Sequence, residues 1–233
     1  MPLLSRSDEP TARGPDPRPS GPLRQRTQDE PDEPTERAGL VEVIGQSQPL
    51  RRGRPIEPAV VLVTGIQASG KTTVAALLAR RFERGVHVEG DALLRMVVTG
   101  RTEPGRADDG ERQLRLRHRQ GAWLADSFFG AGFSVVVEDN VYGGDLLDSY
   151  VAAIAARPLL VVVLLTEPTV ANRRDSERDR PAYRPGRWSA DELDLALRHD
   201  TPRLGLWIDN GTQDPEATVE EILSRWDEAI VRP

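Results

Sequence analysis

A glycine-bounded loop that ends in a lysine is the segment of this sequence with the most recognisable chemistry. Residues 65–72 read "GIQASGKT" and satisfy the pattern G-x-x-x-x-G-K-[ST]. Glycines let successive backbone N–H groups point inward around an anion, and a helix that starts at the lysine adds its own unpaired N–H groups. We therefore expect the loop to bind the phosphates of ATP, with Lys71 on the β- and γ-phosphates and Thr72 on Mg²⁺. The residues expected to contact the nucleotide are Gly65, Ile66, Gln67, Ala68, Ser69, Gly70, Lys71, Thr72 and Thr73, together with Arg178 from a later segment.

Asp91 is the first acidic candidate, because it directly follows a short strand-like segment. A carboxylate at the carboxyl end of a parallel strand faces the crevice where ligands bind. There it could accept the proton of an attacking hydroxyl during transfer of the γ-phosphoryl group. The alternative is that Asp91 caps a helix beginning at Ala92. Both interpretations remain open, since a capping carboxylate keeps one oxygen free.

Two further carboxylates, Glu138 and Asp139, end the apolar run "FSVVVEDN" at residues 133–140. An apolar strand with an acidic end has the form of a Walker B segment. We expect one of the two carboxylates to orient Mg²⁺, directly or through water. The alternative is a polar strand end entering a turn. Strand alternation predicts that the two side chains point to opposite faces, without telling which one faces the loop.

An arginine-rich segment, residues 169–188, follows a later apolar run. Arginine offers planar, permanently charged donors that suit a phosphoryl group whose charge is spread over several oxygens. We expect a cationic lid that closes over the nucleotide. The alternative is a solvated charged face with pairs between residues four apart. The arginines assigned to the lid are Arg173, Arg174, Arg178 and Arg180.

Strands and helices alternate along the chain around these residues. Apolar runs predict strands at 59–64, 86–88, 133–138, 159–165 and 205–209. Helical patterns predict helices at 71–83, 91–99, 111–130, 144–156, 168–178, 190–199 and 215–230. Ser189 with Glu192 predicts a capping box, and Asp214 with Pro215 predicts a helix start. Apolar strands alternating with helices indicate a parallel sheet covered on both faces, a three-layer α/β domain.

Composition limits the remaining classes. The formal net charge of -6 argues against a dedicated nucleic-acid binder, and the absence of cysteine excludes disulfides and thiolate metal sites. No apolar run is long enough to span a bilayer, and the N-terminus lacks the pattern of a signal peptide, so a cytoplasmic location is expected. Residues 1–55 are rich in proline and mixed charge and predict a disordered extension, which leaves 56–233 as the folded domain.

Three segments together resemble the P-loop small-molecule kinases, and most closely the chloramphenicol phosphotransferase-like family. These segments are the loop 65–72, "GDAL" at 90–93 and "GAWLADSFFGAGFSVVVEDNVYGG" at 121–144, with weaker support from "RRDSERDR" at 173–180. The similarity runs over about residues 59–230. The loop is a strong signal for nucleotide binding but does not separate a kinase from an ATPase, a GTPase or a sulfotransferase-like protein, whereas the segment 121–144 is more specific for the family.

The resemblance implies a P-loop NTPase fold with a five-stranded parallel sheet in the order 2-3-1-4-5. It also implies transfer of the ATP γ-phosphate to a hydroxyl of a small molecule, an antibiotic or a metabolite. By position, Asp91 matches the general base, Lys71 and Thr72 match the nucleotide and Mg²⁺ groups, and Arg173 and Arg180 match lid arginines. The polar segment 94–118 predicts an acceptor pocket unlike that for an apolar aromatic drug. The competing hypotheses are an ATP-binding resistance or regulatory protein without transfer, and a kinase of nucleosides or nucleic-acid ends.

Overall fold

The computed structural model describes residues 57–102, 108–179, 181–183 and 187–232. The predicted N-terminal extension, residues 1–55, lies outside the described residues, and so does the predicted lid residue Arg180. The elements below therefore belong to the predicted domain, which starts at about residue 56.

One parallel sheet of five strands is formed by the described residues. The central strand β1 is buried at all six positions, as expected for a strand covered on both faces. The strand order is β2-β3-β1-β4-β5, and every neighbouring pair is parallel. The predicted fold class and strand order are confirmed. The strands are β1 (Val60–Gly65), β2 (Gly85–Glu89), β3 (Ser134–Glu138), β4 (Leu159–Leu165) and β5 (Leu206–Asp209).

Helices connect the strands and cover the sheet. None of those in the described ranges is long and apolar enough to cross a membrane. The predicted last helix, 215–230, is wrong as a single element, because the backbone at Arg225 leaves the helical region (φ -110°, ψ 26°) and separates two helices. The helices are α1 (Lys71–Ala79), α2 (Gly90–Arg95), α3 (Asp108–Gly130), α4 (Gly144–Ala153), α5 (Pro168–Ser176), α6 (Ala190–Leu195) with a π-helical turn at Ala196–Asp200, α7 (Pro215–Ser224) and α8 (Trp226–Ala229).

The strand alternation divides the apolar core into two layers. Val60 and Leu62 of β1 pack in the layer that contains α3, α4, α5 and α6. Val61 and Val63 point to the other face and pack with α1, α7 and α8. Because successive strand residues face opposite sides, an entirely apolar strand supplies both layers at once. The carboxyl ends of the strands meet at one edge of this sandwich, where the loops carry the candidate site.

Two helix starts follow the predicted capping chemistry. Ser189 accepts a hydrogen bond from the Glu192 N–H, and the Glu192 carboxylate accepts one from the Ser189 N–H at 2.7 Å, which completes the capping box of α6. Asp214 accepts from the Ala217 N–H at 2.7 Å at the start of α7, where Pro215 follows as the first helical residue. The ends of α6 and α7 that lie beside the candidate site are therefore fixed by local sequence.

Candidate functional site

The loop between β1 and α1 has the backbone geometry of an anion-binding turn. Gly70 adopts φ 95° immediately before α1, a conformation that favours glycine. At Gly65 a side chain would collide with β4, because a Cβ would lie 2.6 Å from the Leu164 carbonyl oxygen. Between them Ala68 also has positive φ, at 62°. A left-handed residue followed by a helix N-terminus points backbone N–H groups into a common concavity that attracts phosphate.

Lys71 reaches over this loop from the first turn of α1. Its Nζ donates to the carbonyl oxygens of Gly65 and Ile66 at 2.9 and 2.8 Å. Burial lowers the pKa of Lys71, and the nearby carboxylates of Glu138 and Asp91 oppose that effect. In the same loop the Ser69 hydroxyl is buried and, among the described residues, has no hydrogen-bond partner. A buried amine and an unpaired buried hydroxyl in one loop are donors suited to a phosphate group.

Thr72 and Glu138 form the contact suited to a magnesium ion. The Thr72 hydroxyl donates to Glu138 Oε1 at 3.1 Å, which joins the loop to the end of β3. Burial raises the pKa of Glu138 to about 7, although the positive charge of Lys71 acts in the opposite direction. A hydroxyl and a carboxylate beside a phosphate-binding loop are oxygen ligands of the kind that Mg²⁺ prefers.

Asp139 has a different environment from its neighbour Glu138. Both of its oxygens accept from the Arg117 guanidinium, at 3.0 Å from Nε and 2.6 Å from Nη2. The Asn140 N–H donates to Asp139 Oδ1 at 2.7 Å. Burial raises the pKa of Asp139 to about 6, and the charge of Arg117 counteracts part of this rise. The two carboxylates predicted as alternatives for the metal are thus distinguished by their partners.

Asp91 lies in the first turn of α2 and lines the same cleft as Lys71, Thr72 and Glu138. The capping interpretation is wrong in its detail, because α2 begins at Gly90 and its N-cap position is Glu89, whose side chain makes no capping bond. The Asp91 carboxylate is exposed to the cleft. It is therefore not needed to start the helix and is free to contact a ligand.

The arginines of the predicted lid do not share one position. Arg178 lines the cleft near Lys71, whose pKa its charge lowers. Arg174 donates to the Gly211 carbonyl at 3.3 Å and lines a smaller neighbouring pocket of about 280 Å³. Arg173 is exposed on α5 and does not line either cavity.

Three polar residues without a motif attach later segments to the loop. The Asn210 amide donates to the Ser69 carbonyl at 2.8 Å and its oxygen accepts from Thr166 at 2.7 Å. Buried Asp175 accepts from two N–H groups, those of residues 182 and 183. The Tyr183 hydroxyl then donates to the Gln67 carbonyl at 2.7 Å. These contacts link residues up to 141 positions apart, which local sequence patterns do not reveal.

The cleft in which these groups meet has a volume of about 1110 Å³. Its wall away from the loop includes Leu94, Arg95, Arg101 and Leu114 from the segment predicted to be polar. Arg95 is paired with Glu89 at 3.2 Å. Apolar side chains on the same wall come from other elements and include Leu146, Trp188 and Leu193. The wall is therefore mixed, with apolar surface that the composition of residues 94–118 alone does not indicate.

Comparison with known proteins places these observations in a family. A family model described as an AAA domain matches residues 60–202, more than half of the chain. Similar solved structures include a sugar kinase from Janibacter sp. with 22% identity, which covers 74% of this chain and 96% of that one at a TM-score of 0.51. Shikimate kinase from Bacteroides thetaiotaomicron has 18% identity, coverage of 72% and 98%, and a TM-score of 0.50. APS kinase from Mycobacterium tuberculosis, in complex with AMPPNP and APS, has 17% identity, coverage of 74% and 99%, and a TM-score of 0.57.

These likenesses concern the fold, because the identities are below 25% in each case. They support the predicted fold of P-loop kinases. The search of curated proteins gives no match to the chain. The narrower resemblance to the chloramphenicol phosphotransferase-like family stays a prediction.

Proposed function

The chain belongs to the AAA domain family, and from this premise we propose that it is an ATP-dependent phosphotransferase that moves the γ-phosphate to a hydroxyl of a small molecule. The observation that carries the proposal is one cleft of about 1110 Å³ lined by the phosphate-binding loop, the Thr72–Glu138 pair and the carboxylate of Asp91. Transfer chemistry needs these three parts together: a phosphate cradle, a metal position and a proton acceptor.

The nucleotide phosphates fit the loop. Its N–H groups, the Lys71 ammonium and the Ser69 hydroxyl are donors, and Arg178 lies across the cleft near Lys71. The pocket of about 280 Å³ next to the loop, lined by Arg174 and Pro215 among others, would take the nucleoside part. Phosphate binding favours the charged form of Lys71, so nucleotide would offset the cost of burying this amine.

The magnesium ion fits Thr72 and Glu138 better than Asp139, whose two oxygens already accept from Arg117. The described residues contain no group of three or more acidic, histidine or cysteine side chains placed to hold a metal ion. Such a site would therefore depend on phosphate oxygens and water for its remaining ligands. Mg²⁺ is usually bound in this way, through one or two carboxylates together with water and substrate phosphates. When bound, the ion would neutralise charge on the phosphate oxygens.

Asp91 is the proposed general base. As the oxygen of the acceptor hydroxyl forms its bond to the γ-phosphorus, the bond from that phosphorus to the β–γ bridging oxygen breaks and ADP leaves. The proton of the hydroxyl passes to the Asp91 carboxylate. Two facts support this role: Asp91 is exposed to the cleft, and it is not used as a helix cap.

The acceptor is proposed to be a small molecule, an antibiotic or a metabolite, and the protein is proposed to act in the cytoplasm. The cleft volume suits a nucleotide plus a small second ligand. The formal net charge of -6 disfavours a polynucleotide, whose own phosphates would be repelled. The mixed apolar and charged wall opposite the loop offers both kinds of contact to such an acceptor.

The proposal is tested by ADP release from Mg·ATP against a panel of hydroxylated metabolites and antibiotics. We expect Asp91→Asn to keep ATP binding, measured by calorimetry, and to lose at least about 100-fold in transfer rate. Asp145→Asn is the matched control, because Asp145 is also an exposed first-turn aspartate but lies outside the cleft.

Four outcomes would contradict parts of the proposal. Absence of ATP binding would refute the function. Binding without transfer to any compound or to water would favour a nucleotide-binding regulatory protein. Normal transfer by Asp91→Asn would remove Asp91 from the mechanism, and loss of ATP affinity in that variant would assign Asp91 to the metal–nucleotide contacts instead.

A further inference from the structure

The Arg117–Asp139 pair connects helix α3 to the end of strand β3 inside the cleft. Both side chains are almost fully buried, with 7% of Arg117 and 2% of Asp139 exposed, and the contact is bidentate. His118 lies behind the pair, with its Nε2 3.9 Å from Asp139 Oδ2 and its ring stacked on Tyr150 at 4.8 Å. The pair is thus enclosed on the side away from the cleft, so its geometry is fixed by packing on several elements.

Gly90 brings helix α2 against the same carboxylate. A Cβ built on Gly90 would lie 2.5 Å from Asp139 Cγ and Oδ2 and 2.8 Å from Oδ1. Real Cβ atoms do not approach other heavy atoms this closely, and a carboxylate held by a bidentate arginine cannot turn away. Only a glycine permits the first turn of α2 to lie at its observed position. The next residue along the chain is Asp91.

We infer that Arg117 and Asp139 are positioning residues, which hold the first turn of α2 through Gly90 and so set where the Asp91 carboxylate stands in the cleft. The inference rests on the proposed function of Asp91 as general base. Neither Arg117 nor Asp139 needs to touch the acceptor for this role. The close approach of Gly90 to Asp139, here called the mechanical link, is the contact through which the Arg117–Asp139 pair fixes the position of Asp91.

Arginine suits this role better than lysine for a geometric reason. Its planar fork fixes both carboxylate oxygens at once, whereas a lysine ammonium makes a single flexible contact. The pair also compensates the charge of Asp139 in a dry environment, where an uncompensated carboxylate would be costly. Arg117→Lys therefore keeps the charge and loosens the carboxylate, which separates positioning from charge balance.

The test compares Gly90→Ala with Gly130→Ala. Gly130 is the last residue of α3, and a Cβ there meets nothing within 4 Å, so this variant is the matched control. The assay is Mg·ATP hydrolysis with water as the phosphoryl acceptor, together with calorimetric ATP binding. Displacing a catalytic group by about 1 Å can cost about 100-fold in rate, and we expect a loss of this order in Gly90→Ala with ATP affinity unchanged. Gly130→Ala should match the unmodified protein.

A double-mutant cycle decides whether the pair acts through Asp91. In an Asp91→Asn background, Gly90→Ala and Arg117→Lys should each lower the hydrolysis rate by less than about threefold. If their losses instead multiply with that of Asp91→Asn, the pair acts on the fold and not on the base. The kinetic coupling is a readout that a purely structural role would not produce.

Hydrogen–deuterium exchange gives a measurement that does not depend on hydrolysis. Gly90→Ala and Arg117→Lys should speed exchange in residues 90–95 and leave residues 71–79 unchanged. Unchanged exchange in 90–95 would refute the mechanical link. Absence of phosphoryl transfer by the unmodified protein, both to water and to every acceptor tested, would overturn the proposed function and this inference with it, whereas normal turnover by Gly90→Ala would overturn the inference alone.

Discussion

Replacing Glu138 by Gln in the absence of nucleotide and metal tests the electrostatics of the site most directly. Glu138 is 4% exposed, and within the described residues its hydrogen bond comes from the Thr72 hydroxyl at 3.1 Å. Burial raises its pKa from 4.5 to about 7. Gln has the shape of the protonated acid and cannot ionise, so the variant stays in the state that the folded protein prefers at low pH.

The sign and size of the effect follow from these two pKa values. Between pH 4.5 and about 7 the folded state binds more protons at Glu138 than the unfolded state does. The free energy of unfolding therefore falls as pH rises through this window. The difference between the two pKa values corresponds to about 3 kcal/mol at 1.36 kcal/mol per pH unit. This contribution is fully present below pH 4.5 and is lost once the pH passes about 7.

The assay is urea unfolding of both proteins at pH 5 and pH 8 with EDTA present. Relative to the unmodified protein, Glu138→Gln should gain up to about 3 kcal/mol of unfolding free energy between pH 5 and pH 8. Asp139, whose pKa burial raises to about 6, is present in both proteins and titrates in both pH series. Glu83→Gln, at an exposed position, is the control and should follow the unmodified protein at both pH values. An equal difference at pH 5 and pH 8 would refute the inferred cost of ionising Glu138.

Two further predictions concern the loop and the segment that contacts it. Lys71 is the only lysine of the chain, so an acyl-phosphate derivative of ATP should acylate this single side chain, and excess ATP should protect it. Mass spectrometry of the peptides would identify the labelled residue. Labelling that ATP does not reduce would show that Lys71 does not contact the nucleotide. Asp175→Ala removes the acceptor of the Ala182 and Tyr183 N–H groups, so amide exchange at residues 182 and 183 should speed up while the β1 amides stay protected. Unchanged exchange at these two residues would show that the contact between Tyr183 and Gln67 holds the segment alone.

The sheet could be predicted closely because its signals are local. Each strand is a short apolar run, and the predicted strand at 133–138 differs from the observed Ser134–Glu138 by one residue. The phosphate-binding loop was equally accessible, since every residue of its motif lies within eight positions of the chain. The break at Arg225 could not be predicted, because the apolar pattern of residues 215–230 continues across it. The spacing of apolar residues indicates which face of a segment is buried, but it does not indicate whether the helical backbone is continuous.

The contacts that organise the site were harder to predict because they depend on how helices rotate against the sheet. Helix α3 carries four arginines, Arg112, Arg115, Arg117 and Arg119, of which Arg117 alone is buried. The sequence does contain a signal that Arg117 is buried. The buried positions 114, 117, 118, 121, 122 and 125 recur at three- and four-residue spacing and form one face of the helix. A charged residue on a face made otherwise of small and apolar residues and one histidine requires a buried partner, and Asp139, 22 residues later, is that partner.

We propose that the adjacent carboxylates at the end of β3 have two different tasks, a structural one for Asp139 and a metal-binding one for Glu138. A buried acid stabilises a fold when a cation and N–H donors satisfy its oxygens, and Asp139 is satisfied in this way by Arg117 and Asn140. An acid that must bind an incoming metal ion has to remain unsatisfied until that ion arrives, and Glu138 has a hydroxyl as its donor. The raised pKa of Glu138 indicates that its ionised carboxylate is poorly stabilised in this environment. We therefore expect the site to be less stable without ligands than a fully paired core would be, and Mg·ATP to recover the difference on binding.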